Sequence, residues 1–259
     1  MSLGRRKVSL ADPSAWIFNR MAPVYGARPA YPEALVTALA EVAEWSGRRV
    51  LDIGAGIGHL SLPLSERGLD VVALEPASAM LERLQSAALE RDLAICPVHG
   101  TAESIPLDAS SVDLALLADV VHFLDKELAS LEVSRVLARA GALAIVTSEF
   151  ADTPYMRSVR EIMNDAAPRR PREVMPAIEQ FAAVARAPLT VVRRFGDETP
   201  VDARTLEDIL GSISFIGPAM NAERARAFRE RIHALPHEPL WARTFTLYVG
   251  YRGRRGARG

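Results

Sequence analysis

The sequence predicts an α/β protein built on a doubly wound, mostly parallel sheet. Apolar strand-like runs alternate with helical patterns from Arg49 to Thr147. The run Val112–Leu117 is nearly unbroken apolar, as expected of a strand covered on both faces. The first run is followed at once by a glycine-rich turn, VLDIGAGIGHL (Val50 to Leu60), at the place where such sheets hold ligands. With 259 residues, 49% of them hydrophobic, the chain can bury one sizeable core, with or without an insertion.

The elements follow in order. Tyr31-Pro32 precedes EALVTALAEVAEW, a helix whose Leu35, Leu39 and Val42 share a face, with Pro32 at a permitted first-turn position. Arg49–Ile53 is a short strand. The glycine turn leads into HLSLPLSERG, a helix closed by Gly68. Val71–Leu74 is a strand ending at Glu75, and Ser78–Arg91 a helix with Met80, Leu81, Leu84 and Ala88 inward. Strands at Leu93–Val98, Val112–Leu117 and Ala142–Thr147 follow, with a helix over Leu124–Ala138. Residues 150–190, with Pro154, Pro168, Pro171, Pro176 and Pro188, change the pattern and read as an insertion with two short helices. Its Tyr155, Met156, Met163 and Met175 suit either local core or an acceptor pocket. A strand (Thr190–Phe195), two helices (Ala203–Ser212 and Ala219–Ala234) and a long strand (Trp241–Tyr251) complete the chain, before a basic tail, 252–259, that reads as disordered.

Composition narrows the function. A formal net charge of -1 argues against a protein that grips nucleic acid through many phosphates. The single cysteine, Cys96, permits no internal disulfide and fits a reducing cytoplasm; no Cys/His cluster has zinc spacing. Neither a signal peptide nor an apolar run long enough for a membrane span is present. Nothing in the sequence reports the oligomeric state.

The glycine turn decides between ligands. Its third glycine comes one residue too early for the dinucleotide pattern G-x-G-x-x-G. Gly58 is followed by His59 and Leu60 rather than Lys-Ser/Thr, so the triphosphate loop fails too. Glu75 closes the second strand, where a carboxylate can accept both hydroxyls of a ribose.

The remaining pattern, apolar-Asp-apolar-Gly-x-Gly-x-Gly, resembles motif I of class I S-adenosylmethionine (SAM) dependent methyltransferases. SAM carries no phosphate, and glycines allow the close backbone approach that its methionine and ribose parts require. HGTAESIPLDASSVDLALL (His99 to Leu117) resembles the G-D-A-x-x-L-P-F…F-D segment of the menaquinone/ubiquinone-type (methyltransferase type 11) enzymes. Thr101 departs from the family's Asp; its hydroxyl offers less to the adenine amino group, and backbone groups near Ala102 are the alternative. FNRMAPVYGARPAYP (Phe18 to Pro32) is similar to the superfamily's lid helix and its Y-x-x-x-R-P-x-Y-P entry.

The resemblance implies a Rossmann-like, seven-stranded, mostly parallel sheet with its last strand antiparallel, and a helical cap and lid. It divides the chain into a lid segment (1–31), a SAM-binding core (32–149), a cap insertion for the acceptor (150–190) and a segment completing the sheet (191–251). It implies SAM as cofactor, S-adenosylhomocysteine as product and a natural-product or quinone-like small molecule as acceptor, with neither membrane nor nucleic acid as partner. Tyr25 and Arg28 are expected at the SAM carboxylate, with Trp16 and Phe18 on a movable cover. Asp52, Gly54, Ala55, Gly56 and Gly58 form the turn; Glu75, Pro76 and Met80 hold the ribose side. Thr101, Ala102 and Glu103 lie at the adenine, and Asp119 and Val120 at the end of the fourth strand. Asp119 and His122 are the candidate catalytic residues: three apart in a helical turn they can face one way, and His122 can take a proton at neutral pH. His59 and His99 read as structural, and His233 and His237 as unrelated to the site. No metal is expected. Two other readings stand beside this one. In one the acceptor is RNA or protein, although no N/D-P-P-Y/F motif follows the fourth strand, where LADVVHF stands. In the other the protein binds SAM without catalysis.

Overall fold

The computed structural model describes residues 17–167, 174–213, 216, 222–235 and 239–253. Trp16, His237, the expected helix start at Ala219 and the tail from 254 onward lie outside the described residues.

Helix α1 (Ile17–Tyr25) and α2 (Glu33–Ser46) precede β1 (Arg49–Ile53), α3 (Ser61–Glu66), β2 (Asp70–Glu75), α4 (Ser78–Glu90), β3 (Ile95–His99) and β4 (Val112–Ala118). A 3₁₀ turn, Val121–Phe123, leads to α5 (Lys126–Val136) and β5 (Leu137–Phe150). The chain ends with α6 (Pro154–Ala166), α7 (Met175–Val184), β6 (Leu189–Pro200), α8 (Ala203–Gly211), α9 (Ala222–His233) and β7 (Leu240–Tyr251). The sheet is seven-stranded, in the order β3-β2-β1-β4-β5-β7-β6. Strands β1 to β5 are parallel, and β7 runs antiparallel to both β5 and β6.

Alternation along the strands builds two apolar layers. In β1, Leu51 and Ile53 face a core shared with α5 and α7, while Val50 faces the α2 side with Leu114, Leu116 and Phe245. Because β1 lies between β2 and β4, strand order reverses there, and a crevice opens at the carboxyl ends of β1 and β4. No helix among the described residues is long and apolar enough to cross a membrane.

Several elements differ from the sequence reading. α5 starts at Lys126 because Asp125 caps it, its carboxylate accepting the Leu128 amide at 3.3 Å. It ends at Val136, since the chain passes straight into β5, where Leu137 already pairs with Val112. Strand β6 runs five residues past Phe195 to Pro200, because β7 offers it partners over the whole length. The expected cap, 150–190, divides. Helix α6 joins a third cluster with α8 and α9, through Met156, Val159, Ile162, Leu206, Ile209 and Phe228. Helix α7 instead places Ile178, Phe181 and Ala182 in the sheet core beside α5. Thus α8 and α9, which lie in the segment read as completing the sheet, belong with α6 over the carboxyl edge. The lid helix α1 packs on α4 through Met21, Ala22, Ala77 and Met80, and Asn19 Oδ1 accepts the Ala79 amide at 2.9 Å.

Candidate functional site

A cavity of about 1100 Å³ lies at the carboxyl ends of β1 and β4, roofed by α1 and the α6–α8 side of the cap. Of the sequence-predicted residues, Tyr25, Arg28, Asp52, Gly54, Ala55, Gly56, Glu75, Pro76, Met80, Thr101, Ala102, Glu103, Asp119, Val120 and His122 all line it. Gly58 does not. It is buried, with φ +92°, and a Cβ there would come within 3.0 Å of Leu84 Cγ and 3.1 Å of Leu62 Cγ. The absence of a Cβ there lets α3 and α4 pack closely beneath the turn.

The turn begins where β1 ends. Gly54, at φ +75°, and Ala55 both donate to Leu74 O, at 2.8 and 3.1 Å, which ties the turn to the end of β2. A Cβ on Gly54 would lie 2.6 Å from Val120 Cγ1, so the turns after β1 and β4 touch only because this residue is glycine.

Glu75 is buried at the end of β2. One oxygen accepts the Gly56 amide at 2.8 Å and the other the Ala77 amide at 2.9 Å. A carboxylate oxygen can accept more than one hydrogen bond, so each keeps capacity for a ligand hydroxyl. Burial pushes its pKa up to about 7, against the pull of the two amides. Asp52 is also buried; it accepts the Ser61 hydroxyl at 2.6 Å, and burial raises its pKa to about 6. Asp52 therefore braces the entry to α3 and borders the cavity as well.

Asp119 departs from its expected pairing with His122. Its φ of +55° takes it out of the helical turn, and both its oxygens face β5: Oδ1 accepts the Ser148 amide at 2.8 Å, Oδ2 the Ser148 hydroxyl at 2.6 Å. Burial raises its pKa. His122 sits on the 3₁₀ turn at the exposed rim of the cavity, against Phe123, which meets the lid through Phe18 with ring centroids 5.3 Å apart. Beyond the end of β3, Glu103 accepts the Asp125 amide at 2.9 Å, and His99 Nε2 lies 3.0 Å from Pro76 O.

The lid entry closes the opposite side. Arg28 packs over the Tyr25 ring at 4.2 Å and its Nη1 donates to the Tyr25 hydroxyl at 3.1 Å. The Tyr25 ring lies 3.7 Å from where a Cβ on Gly56 would stand, so lid and turn adjoin. His59, read as structural, is in the cavity wall, stacked on Tyr25 with centroids 5.9 Å apart. Burial, then Arg28 and Arg243, lower its pKa to about 4. His233 pairs with Glu207 at 2.9 Å and is not among the cavity-lining residues.

Sequence reasoning missed Ser148, Phe150, Trp241 and Arg243, all of which line the cavity. Arg243 binds Asp197 and donates to Ala30 O at 2.8 Å, fixing the lid's exit to β7. It reaches the site because β7 pairs Arg243 with Phe150, a register carried by no local signal. Trp241 is buried against Phe150, and its indole Nε1 finds no hydrogen-bond partner among the described residues.

A glycine turn without a phosphate-binding lysine, set against a buried carboxylate at the next strand end in the crevice of a doubly wound sheet, defines an α/β protein of the Rossmann-like class. Residues 51–145 match the family model described as a methyltransferase domain. The methyltransferase Mb3374 of Mycobacterium bovis is 40% identical over 188 residues, 72% of each chain. The chain belongs to the SAM-dependent methyltransferase family. Among solved structures of similar fold, a type II methyltransferase from Anaeromyxobacter dehalogenans superposes with a TM-score of 0.62 at 22% identity, covering 86% of this chain and 97% of that one. YcgJ from Bacillus subtilis superposes at 0.59 and 20% identity, covering 86% and 100%.

Proposed function

We propose that the protein binds SAM in this cavity and transfers its methyl group to a small, largely apolar acceptor. The observation that carries the reading is the cavity's size and division. At about 1100 Å³ it exceeds the roughly 300–1,000 Å³ of a pocket for one drug-sized ligand, which leaves room for a nucleoside and a second molecule. One end offers the glycine turn, Glu75 and Thr101–Glu103; the other is walled by Phe150, Met163, Ile209, Ile213 and Trp241.

The residues at the first end fit SAM. Glu75 would accept the ribose hydroxyls, Pro76 and Met80 would flank the nucleoside, and Thr101, Ala102 and Glu103 would border the adenine. Tyr25 and Arg28 would hold the carboxylate. When bound, SAM supplies a methyl group already activated on a sulfonium. The protein's contribution is then alignment and exclusion of water, worth roughly 7–11 kcal/mol for well-oriented reactants. Where the acceptor must lose a proton as the new bond forms, His122 is the candidate to receive it. His59, held near 4, is too weak a base at neutral pH, and Asp119 is committed to Ser148. The expected product is S-adenosylhomocysteine.

The test uses methyl-labelled SAM with the purified protein and an extract split into small-molecule, RNA and protein fractions, with Glu75→Ala beside it. Label in the small-molecule fraction that disappears with Glu75→Ala is the expected result. Label in RNA or protein overturns the acceptor class. SAM binding with no label anywhere makes the protein a SAM binder without catalysis.

A further inference from the structure

Arg28 and Ser212 form a contact between the lid entry and the cap whose geometry exceeds what a surface latch needs. Arg28 Nε donates to Ser212 Oγ at 2.8 Å, and Nη2 donates to Ser212 O at 2.6 Å. Ser212 is buried at the carboxyl cap of α8, and its own hydroxyl donates to Ile209 O at 2.5 Å. That donation leaves the Oγ lone pairs directed at Arg28, so the orientation of the hydroxyl is set from behind.

A guanidinium has five N–H donors. Three are used here, two by Ser212 and one by the Tyr25 hydroxyl. Among the described residues nothing takes the other two, one on each terminal nitrogen, the number that a bidentate carboxylate takes. Among the described residues no Asp or Glu forms an ion pair with Arg28, although it lines the cavity beside Tyr25 and near Gly56. Half-buried, with no ion-pair partner and two unspent donors among the described residues, this arginine is arranged for an anion that those residues do not supply.

We propose that Ser212 is a positioning residue for the cofactor's carboxylate: it grips Arg28 on the Nε side so that the terminal N–H pair faces the cavity. The inference rests on the SAM reading above. Its consequence is that cofactor and acceptor ends share one hinge. Ile209 and Ile213, on either side of Ser212, wall the acceptor end, so an occupied carboxylate site fixes the wall against which the acceptor binds.

The test compares two ligands by calorimetry, S-adenosylhomocysteine and 5′-methylthioadenosine. Both carry the adenine, ribose and sulfur, and only the first has the carboxylate. Ser212→Ala is expected to weaken S-adenosylhomocysteine about three- to tenfold, the worth of roughly one ordinary hydrogen bond, and to leave methylthioadenosine unchanged. Arg28→Lys, which keeps the charge but cannot span both Ser212 oxygens, is expected to show the same discrimination. In an Arg28→Ala background, Ser212→Ala is expected to cost nothing further in S-adenosylhomocysteine affinity. Equal weakening of both ligands by Ser212→Ala, or an additive loss in the Arg28→Ala background, overturns the proposal. Should the wild type bind neither ligand, the SAM reading itself fails, a result separate from these.

Discussion

Glu75 and Gly56 are joined by a 2.8 Å hydrogen bond from the glycine amide to the Glu75 carboxylate. The bond ties the tip of the turn after β1 to the end of β2, so these two parts of the cavity wall are not independent. Neither can shift without breaking a bond to a buried charge-bearing group, and such bonds are worth about 1.5–3 kcal/mol.

Glu75→Gln should therefore separate shape from charge. The side chain keeps its size but loses an acceptor for the ribose and turns an amide N–H toward either Gly56 or Ala77. S-adenosylhomocysteine affinity is expected to fall about ten- to a hundredfold by calorimetry, the loss of one charged hydrogen bond. An unchanged affinity would remove Glu75 from the ribose site.

Affinity should also depend on pH near neutrality. With its pKa pushed up to about 7 by burial, Glu75 is protonated in the free protein below that value, whereas ribose hydroxyls donate to the ionised form. S-adenosylhomocysteine binding is expected to be flat above about pH 7 and to weaken by up to about tenfold per unit below it. The Glu75→Gln variant should lose this dependence.

The same group gives a stability prediction of opposite direction. A raised carboxyl pKa means that the folded state retains a proton which the unfolded chain, near 4.5, has released. Stability of the ligand-free protein relative to Glu75→Gln is expected to fall as pH rises from about 4.5 to about 7. Urea midpoints of both proteins across that window would show it; a constant difference would refute it.

Gly54→Ala and Gly58→Ala should fail in different ways. Gly58 packs under the turn, so alanine there meets Leu84 and Leu62 in a left-handed conformation. About 2–4 kcal/mol of stability is expected to be lost with ligand affinity preserved while the protein remains folded. Gly54→Ala drives a Cβ against Val120 in the cavity wall and is expected to lose both stability and affinity. Thermal unfolding and calorimetry on the two variants distinguish the cases.

His122→Ala probes the proton transfer. Once an acceptor is known, kcat is expected to fall about a hundred- to ten-thousand-fold with S-adenosylhomocysteine affinity nearly unchanged. A loss confined to affinity would place His122 with Phe123 in the lid contact instead.

Much of the site was legible because its chemistry is local. The glycine turn, Asp52 and Glu75 sit at the ends of adjacent strands, and apolar runs bounded by turn residues mark strand ends well. The packing at Gly58 was not legible: glycine spacing shows that backbone freedom is needed, but not that Leu84 and Leu62 crowd the position. Asp119 lines the cavity after β4, and its partner is Ser148 on β5, which no spacing along the chain announces.

By itself the sequence determined the alternation of elements, the glycine turn and the carboxylates at the ends of adjacent strands, because periodicity and turn chemistry act within a few residues. Only the tertiary structure decided that α7 supports the sheet while α6, α8 and α9 cap it, that Trp241 and Arg243 reach the cavity, and that Ser212 reaches Arg28. Those outcomes depend on strand register and helix packing between distant segments, where burial and hydrogen-bond satisfaction across the whole fold select one arrangement.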